Sequence, residues 1–213
     1  DIRKNSDKAL YALIQEPYFG RVITREEDGS EVSFLIGKTS NIEAGVVDWR
    51  NGPIAGLYFN YKQDEEFFEV INQRERSGQI KLRRAYRIEN GQLVQIDSPE
   101  GVFRRTETKW EKLDVEDEVA AHRSRASRSK EKSLPNILSL ITKEQFEMIT
   151  SDPEIPVIIQ GSAGSGKTTV ALHRLAWLLH EENSQALAKN TRVMVMNKSL
   201  QIYVSATLPS MSI

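Results

Sequence analysis

One eight-residue segment, Gly161-Ser162-Ala163-Gly164-Ser165-Gly166-Lys167-Thr168, restricts the folds open to this chain more than any other feature. It matches the Walker A spacing of glycine, four residues, glycine, lysine and threonine. The glycines let the backbone turn tightly, so that successive N–H groups can face phosphate oxygens. An apolar run at residues 156–160 precedes the segment, and an apolar-faced helical pattern at 168–180 follows it. Because a P-loop lies between a strand and a helix, this flanking favours a P-loop over an incidental glycine-rich turn.

The residue types within the segment indicate the ligand. We expect Lys167 to place its ammonium on the β- and γ-phosphates of a nucleotide, and the Thr168 hydroxyl to ligate Mg²⁺. The positive N-terminal end of the following helix would act on the same phosphates. The candidate catalytic residues are therefore Lys167 and Thr168, with Thr168 as the metal ligand. The candidate cofactor-binding residues, for ATP with Mg²⁺, are Gly161, Ser162, Ala163, Gly164, Ser165, Gly166, Lys167, Thr168 and Thr169.

A second β-branched run, at residues 192–196, follows the helical pattern. A strand, a crossover helix and another strand are the opening of a parallel, doubly wound sheet. The fold class predicted for residues 135–213 is therefore α/β, as the start of a P-loop domain.

Residues 18–111 have a different pattern, with short β-branched and aromatic runs separated by turn residues. Three dipeptides that supply positive φ in hairpin turns interrupt it: Asp28-Gly29, Asn51-Gly52 and Asn90-Gly91. The predicted strands are 19–25, 32–37, 45–49, 54–60, 79–89 and 93–97, and the polar interruption at 63–77 could hold a short helix. The pattern predicts a β-rich module, either a small antiparallel sheet or a barrel.

Two further segments complete the predicted domain organisation. Residues 1–17 space apolar side chains at helical period and predict an N-terminal helix that ends at Pro17. Residues 112–134 pass from an acidic cluster to several basic residues, which predicts a charged linker or an exposed helix. The alternative for this charged segment is a patch that contacts a phosphate backbone or an acidic partner. The expected domains are thus 1–17, 18–111, 112–134 and 135–213.

Composition excludes several classes of protein. The 29 Lys and Arg residues nearly balance 30 Asp and Glu, giving a net charge of −1, which excludes a globally cationic nucleic-acid binder but not a local basic groove. No apolar run approaches the roughly 20 residues of a membrane span, and no signal-peptide pattern opens the chain. With no cysteine, disulfides and cysteine zinc sites are excluded. We expect a cytoplasmic protein with no membrane partner, and the start at Asp1 suggests a piece of a longer chain.

Gln145 has two interpretations. Thr142 is a suitable N-cap for a helix, and a glutamine three residues later can close a capping box. Alternatively, its side-chain amide could read the edge of an adenine. The spacing alone favours the cap.

Three segments together resemble the UvrD/Rep-type superfamily 1 helicases: Thr142-Lys143-Glu144-Gln145, residues 157–168, and His173-Arg174-Leu175-Ala176-Trp177-Leu178-Leu179. In that family a glutamine-bearing motif before the phosphate loop contacts adenine, so the resemblance implies that Gln145 reads the base of ATP. It also implies a RecA-like ATPase domain and DNA, in single-stranded form, as partner of the full-length protein. Arg174 and Trp177 could equally serve helix packing, and Asn197-Lys198, near the family's DNA-contacting motif, could equally form a solvated turn.

The upstream half resembles the N-terminal region of helicase IV/HelD-type proteins in four segments: Pro17-Tyr18-Phe19-Gly20-Arg21, Phe34-Leu35-Ile36-Gly37, Val46-Val47-Asp48-Trp49-Arg50 and Pro53-Ile54-Ala55. Some members of that subgroup bind RNA polymerase and help to recycle it, which implies RNA polymerase as an alternative partner.

Two positions depart from the families. Asn51-Gly52 follows Arg50 as a loop variation, and Thr169 stands where many UvrD/Rep-type enzymes carry an adenine-stacking arginine. We interpret Asp48, Trp49 and Arg50 as a buried salt-bridged corner, not as a catalytic group.

The resemblance implies that the parent protein is an ATP-dependent DNA helicase, hence an ATP hydrolase. No apolar strand ending in Asp-Glu follows Lys167 in this sequence, so we expect negligible turnover by this chain alone. Three hypotheses remain open: a strand-separating or translocating helicase, an RNA polymerase recycling factor, and a non-catalytic interaction module. A generic P-loop kinase agrees less well with the Gln145 motif and the long upstream region.

Overall fold

The computed structural model describes residues 14–71, 73–114 and 138–211. These residues fall into two compact units, one ending at Leu140 and the other beginning at Ile141. The first is built on an eight-stranded sheet, and the elements of the second are helices. The predicted β-rich module is therefore confirmed. The parallel α/β sheet predicted at the start of residues 135–213 is not formed by the part of that segment that the structure describes. Most of the helix predicted at 1–17 and of the charged segment predicted at 112–134 lies outside the described residues.

The strands of the first unit are β1 (Gly20–Glu26), β2 (Glu31–Gly37), β3 (Val46–Asp48), β4 (Glu66–Ile71), β5 (Arg74–Glu89), β6 (Gln92–Ser98), β7 (Gly101–Arg105) and β8 (Trp110–Lys112). Their order in the sheet is β3-β2-β1-β5-β6-β7-β8, with β4 also paired to β5. The β2–β3 pair is parallel and the other pairs are antiparallel. The result is a mixed sheet in which short connections join most consecutive strands.

The 16-residue strand β5 holds the sheet together. One of its edges pairs with β1, and the other pairs first with β4 and then with β6. Gly78 lies in β5 where a Cβ atom would be 2.1 Å from the carbonyl oxygen of Arg25. Glycine at this position therefore allows β1 and β5 to approach each other.

One face of the sheet is covered by helix α1 (Gly52–Phe59). Its residues Ala55, Leu57 and Tyr58 are fully buried, and the Tyr58 ring packs edge-on against Phe19. The strand predicted at 54–60 is therefore wrong. Because this helix is apolar on nearly all sides, its sequence lacks the one-sided pattern that separates a surface helix from a buried strand. The proline in its first turn is the local signal for a helix start.

Two of the three predicted turn dipeptides are confirmed. Gly29 has φ +83°, and Asn90 and Gly91 have φ +52° and +73° in the β5–β6 hairpin. Asn51-Gly52 does not form a hairpin turn, because it leads into α1. The strands predicted at 19–25, 32–37, 45–49, 79–89 and 93–97 are confirmed, whereas the interruption at 63–77 contains β4 and the start of β5.

The second unit contains α2 (Lys143–Thr150), α3 (Lys167–Leu178) and α4 (Lys198–Thr207), with short 3₁₀ turns at Ala188–Asn190 and Leu208–Met211. The strands predicted at 156–160 and 192–196 are wrong for the structure described: neither segment is in a sheet. Ile158 is 94% exposed and Met196 is 99% exposed. A strand forms only when it has a neighbouring strand to share hydrogen bonds with. A β-branched run shows that the side chains are compatible with a strand, but it does not show that such a neighbour exists.

The helices of the described ranges are all too short or too polar to cross a lipid bilayer.

Glu16 gives the first unit a pH-dependent stability. Its Oε2 pairs with Lys38 Nζ at 2.8 Å, while its Oε1 is buried without a hydrogen bond among the described residues. Burial raises the pKa of Glu16 above its ordinary value of 4.5, against the opposing effect of Lys38. Its contribution to stability is therefore complete below pH 4.5 and is lost as the pH rises through the raised pKa.

We expect the Glu16→Gln variant to lose this part of the pH dependence. Between pH 4.5 and 7, the free energy of unfolding of the wild-type unit should fall relative to that of the variant, measured by urea denaturation with amide exchange in β5 as the probe. Glu43→Gln, at an exposed glutamate, is the control and should follow the wild type. Parallel pH profiles for wild type and Glu16→Gln would contradict the prediction.

Candidate phosphate-binding site

The segment predicted to bind phosphate forms a tight, exposed loop before α3. Gly164 and Gly166 have φ of +82° and +83°, a region that strongly favours glycine. At Gly161, a Cβ atom would lie 2.6 Å from the Ser165 hydroxyl. The backbone path therefore favours glycine at positions 164 and 166, and a side chain at position 161 would require Ser165 to move.

The side chain of Lys167 folds back over the loop. Its Nζ donates hydrogen bonds to the carbonyl oxygens of Gly161 and Ser162 at 2.9 and 2.5 Å. Within the described residues it forms no ion pair with a carboxylate. The ammonium is thus held at the loop by neutral acceptors, which an anionic ligand could replace.

The N-terminus of α3 lies at the same place. Its N-cap is Gly166, which has no side chain to accept hydrogen bonds from the N–H groups of the first turn. Those N–H groups carry the partial positive charge of the helix end. Thr168 is exposed, and Thr169 is half-buried. The loop, the ammonium, the helix end and the hydroxyl of Thr168 together form a set of groups that fits a phosphate chain with Mg²⁺.

Gln145 closes a capping box and also lies beside the loop. Its backbone N–H donates to Thr142 Oγ1 at 3.3 Å, and its Oε1 accepts from the Thr142 N–H at 3.1 Å. Its Nε2 is 3.2 Å from where a Cβ on Gly166 would stand. The capping interpretation is therefore confirmed, and the same side chain is near the phosphate-loop segment.

His173 and Arg174 are buried in α3, at 1% and 8% exposure. Burial lowers the pKa of His173, with a smaller opposing effect of its hydrogen bond, so the ring is neutral at pH 7. Its Nδ1 carries the proton and donates to the Thr169 carbonyl at 2.7 Å. Burial also lowers the pKa of Arg174, against the nearby Asp152. The packing interpretation of Arg174 is confirmed, as is that of Trp177, which is 7% exposed.

Asp48 and Arg50 form the buried corner that the sequence predicts. Arg50 Nη2 is 2.6 Å from Asp48 Oδ2, with the side chains 11% and 6% exposed. The Arg50 Nε and backbone N–H both donate to Asp48 Oδ1. Asp48 therefore fixes the end of β3 and the turn that leads to α1.

Asn197 is a helix cap in this structure. Its side-chain oxygen accepts the Leu200 N–H at 2.7 Å, at the start of α4. The solvated turn considered for Asn197-Lys198 is therefore replaced by a helix start. A polar residue at N-cap spacing before an apolar-periodic run was the signal for it.

Family comparisons agree with this arrangement. Residues 141–196, which include Gln145, the loop and α3, match the sequence profile of the UvrD/REP helicase N-terminal domain. The protein is thus of the superfamily 1 helicase type. Residues 2–109, more than half of the chain, match the profile described as DNA helicase IV HelD, N-terminal domain, and the chain belongs to that family. No individual curated protein matches it. The resemblance seen in the sequence is confirmed in both halves.

Proposed function

We propose that the second unit binds ATP with Mg²⁺ at residues 161–169, and that the protein uses this nucleotide as an ATP-dependent helicase or translocase acting on single-stranded DNA. The observation that carries the proposal is the closed glycine loop at the start of α3, with Lys167 held over it by two backbone carbonyls. The match to the UvrD/REP helicase N-terminal domain supports it.

The loop backbone, Lys167, Thr168 and Gln145 have distinct roles in this proposal. The backbone N–H groups of the loop and of the first turn of α3 would bind phosphate oxygens. Lys167 would leave the Gly161 and Ser162 carbonyls for the β- and γ-phosphates, where its charge stabilises developing negative charge. Thr168 would ligate Mg²⁺, which supplies charge neutralisation on the phosphate chain when bound. Gln145 would read adenine with its amide.

Nucleotide binding by the 213-residue chain tests the proposal. We expect calorimetry to detect ATP binding that depends on Mg²⁺, and AMP to bind at least about tenfold more weakly because it lacks the phosphates that Lys167 would contact. Thr168→Val, which removes the hydroxyl at similar volume, should lower the benefit from Mg²⁺. Equal binding of ATP and AMP, or none of ATP, would refute the proposal.

RNA polymerase is the alternative partner, and one observation favours a protein partner for the first unit. Phe68 and Val70, on β4, are 60% and 53% exposed on the same side of the strand. Exposed neighbouring apolar side chains are typical of protein-binding surfaces. DNA-stimulated ATP hydrolysis by the full-length protein would support the helicase, and co-purification with RNA polymerase would support the alternative.

A further inference from the structure

Helix α2 contacts α3 near both of its ends. At the N-terminal end, Gln145 Nε2 lies against Gly166, the N-cap of α3. At the C-terminal end, the guanidinium of Arg174 reaches the last turn of α2. The two helices therefore run side by side with both N-termini at the phosphate-loop end. Any movement of α2 along α3 would move Gln145 relative to the loop.

The contacts of Arg174 are unusually numerous for one side chain. Its two terminal nitrogens lie within hydrogen-bonding distance of six oxygens. Nη1 reaches the carbonyl oxygens of Met148, Ile149 and Ser151 at 3.2, 3.2 and 3.0 Å and Ser151 Oγ at 2.8 Å. Nη2 reaches the carbonyl oxygens of Asp152 and Ile155 at 3.0 and 3.4 Å. These acceptors are the last turn of α2 and the segment that leads from it towards the loop. The last four carbonyls of a helix lack partners within it, and Arg174 caps two of those of α2, at Met148 and Ile149.

The positive charge of Arg174 lies at the C-terminal end of α2. The last turn of α2 contains no basic residue of its own. The negative end of its dipole is therefore compensated from the neighbouring helix, at a site where Arg174 is 8% exposed. A planar guanidinium with five donors can serve several carbonyls at once, whereas a lysine ammonium has three donors at one point.

The short length of α2 makes this cap important for its position. An eight-residue helix is marginal by itself and depends on tertiary packing. Phe146 and Ile149 supply that packing, at 1% and 0% exposure. Apolar contacts are non-directional, so they hold the helix against the unit without fixing its position along α3. The directional bonds that fix it along α3 are those of Arg174, because the capping box of Gln145 joins it only to Thr142 at the start of α2 itself.

We infer that Arg174 is a positioning residue that holds Gln145 at the phosphate loop and thereby sets the preference of the site for adenine over guanine. This inference rests on the proposed nucleotide function. Arg174 itself touches neither base nor phosphate in it, since it acts through α2. The expected effect of losing Arg174 is a change in the ratio of ATP to GTP affinity. A general loosening of the unit would instead weaken the binding of both nucleotides equally.

The test compares ATP and GTP affinities of Arg174→Lys with those of the wild type. We expect Gln145→Ala to reduce the preference for ATP about tenfold, since one base-reading amide is lost. Arg174→Lys should reduce it at least threefold, and the double variant should lose no more than Gln145→Ala. The matched control is Arg192→Lys, an exposed arginine whose Nη1 also bonds two backbone carbonyls, at 3.0 and 2.9 Å. It should keep the wild-type preference.

A second measurement needs no nucleotide. The side-chain amide signal of Gln145 in NMR spectra of the chain, assigned through Gln145→Glu, should shift in Arg174→Lys and stay in place in Arg192→Lys. If Arg174→Lys fails to fold, Ser151→Ala, which removes the nearest acceptor, takes its place with a smaller effect of the same sign. If the wild type binds ATP, an unchanged preference or equal losses for both nucleotides overturn the inference. If it binds neither, the proposed function fails, and an unshifted Gln145 signal separately overturns the positioning role.

Discussion

Lys167→Ala is expected to weaken ATP binding about 100-fold or more, which corresponds to about 2.8 kcal/mol. The reason is that the variant removes the charge-assisted bonds that the ammonium would make to the terminal phosphates. The variant also removes the lysine bonds to the Gly161 and Ser162 carbonyls, but the positive φ of Gly164 and Gly166 and the Ser165 N–H bond to the Ser162 carbonyl do not involve that side chain, so we expect the loop to keep its path. Calorimetry with ATP and Mg²⁺ measures the change directly.

Two controls isolate this effect. Lys189→Ala removes the same charge from an exposed position of the same unit and should bind ATP like the wild type. AMP binding should change little in Lys167→Ala, because AMP lacks the phosphates concerned. A Lys167→Ala chain that binds ATP within threefold of the wild type would show that the loop is not the phosphate site.

Asp48→Ala should destabilise the first unit by about 3–5 kcal/mol, the usual cost of removing one partner of a buried ion pair. The variant leaves the Arg50 guanidinium, 11% exposed, without the carboxylate that pairs with it. It also removes the acceptor of the Arg50 backbone N–H at the start of the turn into α1. Amide exchange in β1 and β5 reports the unfolding of this unit separately from the other.

The matched control is Glu31→Ala. Glu31 forms a comparable pair with Arg25, with N–O distance 2.7 Å, but both side chains are 50% exposed. We expect its loss to cost less than about 1 kcal/mol. Replacing both buried partners, in Asp48→Leu/Arg50→Met, should recover part of the stability. Equal destabilisation by Asp48→Ala and Glu31→Ala would contradict the buried role of the corner.

Turn chemistry was predictable where local backbone demands decide the structure. Asn90-Gly91 adopts the positive φ values that its residue types permit most easily. Asn51-Gly52 has the same residue types but begins a helix, because Pro53 and the buried run after it favour one. The residue types of a dipeptide determine which backbone conformations have low energy, and the packing of the neighbouring residues selects one of them.

Apolar runs were less informative than turns. The runs at 54–60 and 156–160 both predict a strand, yet the first forms most of a buried helix, and the second is in no sheet and leaves Ile158 94% exposed. Pairing of a strand is decided by distant residues, which periodicity over a few positions does not reveal.

At the candidate phosphate-binding site, too, local features were predictable from the sequence and long-range contacts were not. The loop glycines and the capping box follow from spacing, so both were predictable from the residues themselves. The contacts of Arg174 with the end of α2 were not, because they join residues about 25 positions apart. A lone arginine within an apolar helix face was the available signal, since an arginine is rarely buried without specific partners.

The position of β5 in the chain has a consequence for biosynthesis. Strands β1 to β4 and helix α1 precede it, but β1 and β4 both need it as a hydrogen-bonding neighbour. A nascent polypeptide on the ribosome therefore cannot complete these pairings until Ala85, the last residue of β5 that pairs with β1, has left the exit tunnel. Until then the free edge of β1 is open to wrong pairing, so that interval is when a chaperone would matter most for this protein.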